Sequence, residues 1–153
     1  MATKYIKGLH RILKRWDGIA YKPLVCLTST DFSQALAMLE KVNVCTGGEV
    51  EQHPDTISRS VAFSGEVVDT SSLEGGMESG ETINELYEVQ DAYLTGGEVD
   101  QWSLEGIDVD SGITAKYFKG YLSDASDSYG DGDATFSGTI TINGVPTSTD
   151  PNE

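Results

Sequence analysis

Residues 134–146 read Ala-Thr-Phe-Ser-Gly-Thr-Ile-Thr-Ile-Asn-Gly-Val-Pro, and this stretch decides the fold class. Over 134–143, Ala134, Phe136, Ile140 and Ile142 fall on one side, and Thr135, Ser137, Thr139 and Thr141 fall on the other. A period of two sends successive side chains to opposite faces, so this is a strand with one buried and one wet face. The same alternation occurs over 56–68, where Ile57, Val61, Phe63 and Val67 point inward and Ser58, Ser60, Ser64 and Glu66 point outward. Strand signals also mark 98–107 and 114–123.

Between these strands the period changes. Ile83, Leu86, Tyr87, Val89 and Ala92–Tyr93 form an apolar stripe at helical spacing, predicting one helix over Thr82–Leu94. Glu81 and Glu85 lie near its positive N-terminal end, and Gly96-Gly97 stops it. Residues 1–16 fit an amphipathic helix through Tyr5, Leu9, Ile12, Leu13 and Trp16, but Trp16-Asp17-Gly18 followed by the apolar run 21–27 fits a hairpin. Strand is favoured there, with a helical start as the alternative. Segment 34–45 (QALAMLEKVNVC) has no period that separates helix from strand. The acidic, proline-containing stretch 49–55 predicts an exposed loop, and the Gly-, Ser- and Glu-rich stretch 69–80 a mobile one. Thr-Gly-Gly-Glu-Val occurs at 46–50 and again at 95–99, as two similar strand-entry turns. One helix among roughly seven strands predicts a mainly β fold, a two-sheet antiparallel β-sandwich with the helix flanking it. The chain divides into a single domain over 1–147 and a polar, loose tail over 148–153.

The formal net charge is −15, unevenly spread. Lys4, Lys7, Arg11, Lys14 and Arg15 give residues 1–16 a charge of +5, leaving −20 on the rest. A body this acidic repels phosphate, which excludes a conventional nucleic-acid-binding domain. No run approaches the ~18 apolar residues of a membrane helix, and no uninterrupted apolar stretch follows the N-terminal lysines as in a signal peptide. Both features predict a protein without a membrane partner. Cys26 and Cys45 belong to no CxxC motif and are either buried free thiols or a pair brought together by the fold.

Nothing in the chain specifies chemistry. His10 and His53 stand singly, and there is no HExxH, no GxSxG and no phosphate-binding loop. Asp124, Asp127, Asp131 and Asp133 are the best calcium candidates, but they lack the spacing of a helix-loop-helix site and suit an Asp-Gly hairpin loop. No catalytic residue, metal or cofactor is expected. A carbohydrate-binding module, with Trp102, Tyr117 and Tyr121 as stacking platforms and calcium at 124–133, is the alternative of a different class.

The order of elements carries a resemblance. KGLHRILKRWDG, PLVCLTSTDFS, ISRSVAFSGEVVDT, ELYEVQDAYLTGG, QWSLEG, KYFKGYLSD and FSGTITINGVP follow one another over residues 5–147. This order resembles the major tail tube proteins of long non-contractile-tailed bacteriophages. The chain is shorter than is usual for that family and its N-terminus more basic. The resemblance implies a structural virion protein of the tail, assembled in the host bacterial cytoplasm. Six copies would form a ring with an inner β-barrel, and rings would stack into the tube through which DNA is ejected without specific binding. Six chains would carry −90, six times the −15 of one, a wall that does not capture phosphate. The resemblance also implies tape measure, terminator and distal tail partners. A terminator, adaptor or distal tail subunit on the same fold is the near alternative. The loops at 46–56 and 69–81 are the expected arms. Lys4, Lys7, Arg11, Lys14, Glu49, Glu51, Glu74 and Glu78 are the expected inter-subunit contacts.

Overall fold

The structure, a computed structural model, describes residues 11–68, 80–96, 98–106 and 114–152. Its elements are β1 (Arg11–Trp16), β2 (Tyr21–Pro23), β3 (Leu27–Lys41), β4 (Glu51–Glu66), α1 (Ile83–Tyr93), β5 (Asp100–Gly106), β6 (Lys116–Ser128) and β7 (Thr135–Thr147). All strand pairs are antiparallel, in the order β2-β1-β5-β6-β7-β4-β3.

The hydrogen bonding corrects the expected division into two sheets. β5 pairs with both β1 and β6, and β7 with both β6 and β4, so the ladder never breaks and the seven strands form one sheet. That sheet is strongly curled. Its two outermost strands, β2 and β3, are separated only by Leu24, Val25 and Cys26. Four Cα steps reach about 14 Å at most, so opposite ends of the sheet must come together. Cys26, at φ 55°, makes the turn in the left-handed region, and its carbonyl accepts the Glu66 N–H at 3.0 Å. Sequence periodicity reports which face of a strand is buried, and a curled sheet buries one face as a sandwich does.

The core inside the curl holds Leu13, Val61, Phe63, Trp102, Leu104, Phe118, Leu122, Phe136, Ile140 and Ile142, with Ile83 and Leu86 of α1. The inward set predicted for 134–143 is therefore the observed one at Phe136, Ile140 and Ile142, with Ala134 half-buried. Two aromatic rings lie over glycines of the facing strand. Phe63 pairs with Gly138 and Phe136 with Gly65. A Cβ on Gly138 would meet the Phe63 ring at 2.6 Å, and one on Gly65 the Phe136 ring at 2.7 Å, so only glycine admits this packing.

Of the ambiguous segment 1–16, Arg11–Trp16 is strand β1 and not helix; residues 1–10 lie outside the described residues. The predicted Asp17-Gly18 turn is present: Asp17 Oδ1 accepts the N–H groups of Ile19 and Ala20, each at 2.8 Å, and Gly18 takes φ 100°. Helix α1 matches its prediction and ends before Gly96, at φ 92°. Segment 34–45 is largely the far half of β3, and 51–55 is strand and not loop. Pro54 lacks an N–H but sits opposite Met38 beside a register shift, where the ladder is already interrupted. The 124–133 loop is shorter than expected because β6 runs on to Ser128, with Asp124 opposite Thr139 and Asp127 opposite Phe136. Nor is the tail loose as far as Asn152. Its side chain donates to Tyr21 Oη at 3.1 Å and to Gln101, and Tyr21 donates to Asp150 at 3.1 Å. Nearly all of the 69–80 loop lies outside the described residues.

Candidate functional site

The feature that departs most from an ordinary domain is the β3–β4 hairpin. β7 supports β4 only from Ser60 to Glu66. Beyond that point β3 and β4 continue as a two-stranded ribbon, with Ala35 opposite Ser58, Leu36 opposite Ile57, Met38 opposite Pro54, Leu39 opposite His53 and Lys41 opposite Glu51. Seven residues of β3 from Ala35 to Lys41, at about 3.3 Å each, carry the ribbon roughly 23 Å away from the body. An isolated two-stranded hairpin is at best marginal in water.

The ribbon's side chains give it an exposed apolar face. Phe32 and Val61 define the core side of β3 and β4, and alternation puts Leu36, Met38 and Ile57 on that same side. With no layer above them among the described residues, these three stay 50%, 44% and 48% exposed. Ile57, predicted to point into the core, does keep the core-side orientation; the core ends before it. At the tip Val42, Val44 and Val50 are exposed, and Gly47 and Gly48, at φ 68° and 82°, reverse the chain after a 3₁₀ turn over Val44–Thr46. β3 is also the outermost strand of the sheet, fifteen residues long, and its far edge pairs with nothing among the described residues. A long open edge is a template for another strand.

At the other end of the sheet a polar cluster fixes the helix. Arg15 of β1 meets Glu81 through Nε at 2.9 Å and Nη2 at 2.7 Å, and Asp100 of β5 through Nη1 at 3.1 Å. The Glu81 side chain is 2% exposed, so this pair is nearly out of water. Burial works to lower the Arg15 pKa, but the two carboxylates outweigh it and hold the guanidinium charged more firmly than usual. Tyr93 of α1 donates to Asp100 and accepts the Leu122 N–H at 3.0 Å; burial first, then Asp100, raises its hydroxyl pKa. Tyr87 donates to Asp127 at 2.7 Å, and Gln90 to the Leu122 carbonyl at 2.9 Å. Glu81 also bridges backbones, donating to Pro23 O at 2.8 Å and accepting from Val25 N at 3.1 Å. This cluster is structural. It locks α1 against β6 and the β2–β3 crossing.

The expected contact residues fall in separate places. Glu49 and Glu51 lie at the hairpin tip, with Glu51 3.5 Å from His53. Lys14 bridges Glu105 of its own chain at 3.0 Å, and Arg11 donates to Leu104 O at 3.3 Å. Lys4, Lys7, Glu74 and Glu78 lie outside the described residues. The apolar ribbon face and the Arg15 cluster were not anticipated. Leu36 and Met38 alternating within 34–45 were the available signal for the first; for the second there was none, because Arg15, Glu81 and Asp100 are far apart in sequence.

Of the three platforms in the carbohydrate alternative, Trp102 is lost to the core, while Tyr117 is half-buried and Tyr121 stays 38% exposed. Trp102 is fully buried and donates to Gly120 O at 3.0 Å, while Tyr121 packs edge-on against Tyr93 with ring centroids 5.0 Å apart. Asp127 accepts hydrogen bonds from both Tyr87 and Tyr129, and among the described residues no group of three or more His, Cys, Asp or Glu is placed to hold a metal. Cys26 and Cys45 are unpaired thiols; Cys26 is half-buried, and Cys45 is exposed at the hairpin tip. No helix is long and apolar enough to cross a membrane, among the described residues.

No protein-family model and no curated protein matches the chain. Solved structures do. A chain of the virion of a native gene transfer agent particle is similar with a TM-score of 0.64 at 13% identity, covering 94% of this chain and 98% of that one. A chain from the tail of an empty gene transfer agent particle, computed with C6 symmetry, is similar with a TM-score of 0.63 at 13% identity, covering 95% and 100%. The SPP1 tail tube, determined by solid-state NMR and cryo EM, is similar with a TM-score of 0.55 at 12% identity, covering 88% and 72%. The chain therefore has a tail-tube-like fold: among the described residues, one curled antiparallel sheet with helix α1 packed on it.

Proposed function

We propose that this chain is a structural subunit of a virion tail, a non-enzymatic protein that acts by polymerising. Six copies close into a ring, and rings stack head to tail into a tube. In the ring, the open edge of the curled sheet pairs with a neighbouring subunit, so that one layer of each copy contributes to a continuous inner barrel. The observation that carries this proposal is the β3–β4 ribbon: a hairpin with Leu36, Met38 and Ile57 half-exposed on one face and an edge that pairs with nothing among the described residues. In a monomer it is a liability; between copies, both features are satisfied. The likeness to tail structures, one of them with C6 symmetry, supports the same conclusion.

The net charge of −15 suits a wall along which DNA slides without sticking. Lys4, Lys7, Arg11 and Lys14, with Glu49, Glu51, Glu74 and Glu78, supply electrostatic contacts between copies, which set orientation more than affinity. Tape measure, terminator and distal tail proteins are the further partners, and the assembly belongs to the virion after formation in the host cytoplasm. Sedimentation across a concentration series tests this: the proposal expects rings or longer stacks above a threshold. A particle of about the 16.4 kDa monomer mass at every concentration overturns it, and growth that stops at one ring reassigns the chain to a terminator.

A further inference from the structure

At the base of the ribbon, on the same side as Leu36 and Ile57, lies an open groove of about 440 Å³. Phe32, Val145 and Pro146 give it apolar walls, and Arg59 and Lys116 supply two cations; among the described residues no acid lines it. Lys116 Nζ sits 3.9 Å over the Phe32 ring, and Arg59 is held by Gln34 at 2.7 Å and by the Gly144 carbonyl at 3.2 Å. Neither cation has a carboxylate partner among the described residues, although acids outnumber bases 25 to 10 in the chain. Lys14, Arg15 and Lys22 are paired with acids, whereas Lys41 and Lys119, like the two groove cations, have no ion pair among the described residues. Among the described residues, two positioned cations without acidic partners lie beside exposed apolar side chains, a setting that suits an occupant both acidic and apolar.

We propose that this groove receives the hairpin tip of a second copy of the chain. The tip has the complementary chemistry: Val42, Val44 and Val50 are 56%, 96% and 59% exposed, and Glu40, Glu49 and Glu51 surround them against the single cation Lys41. A chain cannot fill its own groove, because the strand pairing holds its tip roughly 23 Å away. Knob and hole lie at opposite ends of one hairpin and do not overlap, so the contact is heterologous and passes from copy to copy, closing into a ring or running on as a stack. The inference rests on the assembly proposed above and names the surface that receives the arm.

Cys45, exposed at the tip, provides the test. A second thiol is placed in the groove wall by Val145→Cys, a 73% exposed position whose replacement leaves the core untouched. Assembled protein is treated with a short bismaleimide and run on a denaturing gel. The expected result is a ladder of covalent multimers that disappears when Cys45→Ser is added. Thr147→Cys gives the same ladder if Val145→Cys does not fold. Arg59→Gln with Lys116→Gln raises the threshold concentration for assembly, by up to about fivefold per lost exposed pair. Assembled protein giving no ladder from either position, or a ladder that survives Cys45→Ser, overturns the groove assignment and leaves the tube proposal standing. A parent chain that stays monomeric overturns both.

Discussion

Replacing Leu36, Met38 and Ile57 together with serine separates assembly from folding. In the single chain these side chains are already about half covered, at 50%, 44% and 48% exposure. Complete burial of a Leu, Met or Ile is worth about 1.5–3 kcal/mol, so about half of that remains for a partner to cover. Three side chains then contribute about 2–4 kcal/mol per arm, and the entropy of association cancels between parent and variant. At 1.4 kcal/mol per factor of ten, the concentration needed for assembly should rise roughly 30- to 700-fold. The body's thermal midpoint should barely move, because the ribbon extends past the last β4–β7 pair and none of the three belongs to the core. Light scattering against concentration gives the first quantity and circular dichroism on heating the second. Assembly at the parent's threshold would refute the reasoning. So would a midpoint drop as large as that of a core substitution, since the three would then be serving the fold.

Three further outcomes follow from the packing. Leu86→Asp places a carboxylate where α1 meets the sheet at 0% exposure and should cost several kcal/mol in a urea titration; an unchanged midpoint would mean that α1 is not docked through Leu86. Arg15→Met leaves Glu81 buried without its partner and should cost about 3 kcal/mol, while Arg15→Met with Glu81→Leu should recover most of it, so a double-mutant cycle with no coupling would contradict the cluster described here. Burial pushes Tyr21 from 10.0 up to about 12 and raises Tyr93 as well, so the folded state holds these protons longer than the unfolded chain. Their contribution is complete below pH 10 and is lost as pH climbs to about 12 and beyond; Tyr93→Phe with Tyr21→Phe should flatten the alkaline slope of the urea midpoint.

How much was legible in the sequence depended on whether an element's environment was local. β7 was read nearly residue by residue because Phe136, Ile140 and Ile142 alternate with threonines, and α1 because its stripe ends at Gly96. The ribbon was not. Leu36, Met38 and Ile57 sit in a pattern that ordinarily means core, and only the end of β7 support turns the same pattern into an exposed face. Pro54 and its acidic neighbours argued for a loop, but pairing with β3 across a bulge outweighs that local preference. The single curled sheet escaped detection because β2 and β3 are neighbours in sequence yet stand at opposite ends of the strand order. Arg15, Glu81 and Asp100 meet only once that curl exists, as do Arg59, Lys116 and Phe32 around the groove.

Electron microscopy of the purified chain above its assembly threshold tests the central claim most directly. The account predicts ring-shaped end views with six-fold symmetry, and side views of stacks whose density shows one β3–β4 hairpin per chain reaching onto a neighbouring copy. Particles that remain single subunits, or an assembly in which that hairpin stays in solvent with Leu36, Met38 and Ile57 uncovered, would contradict it.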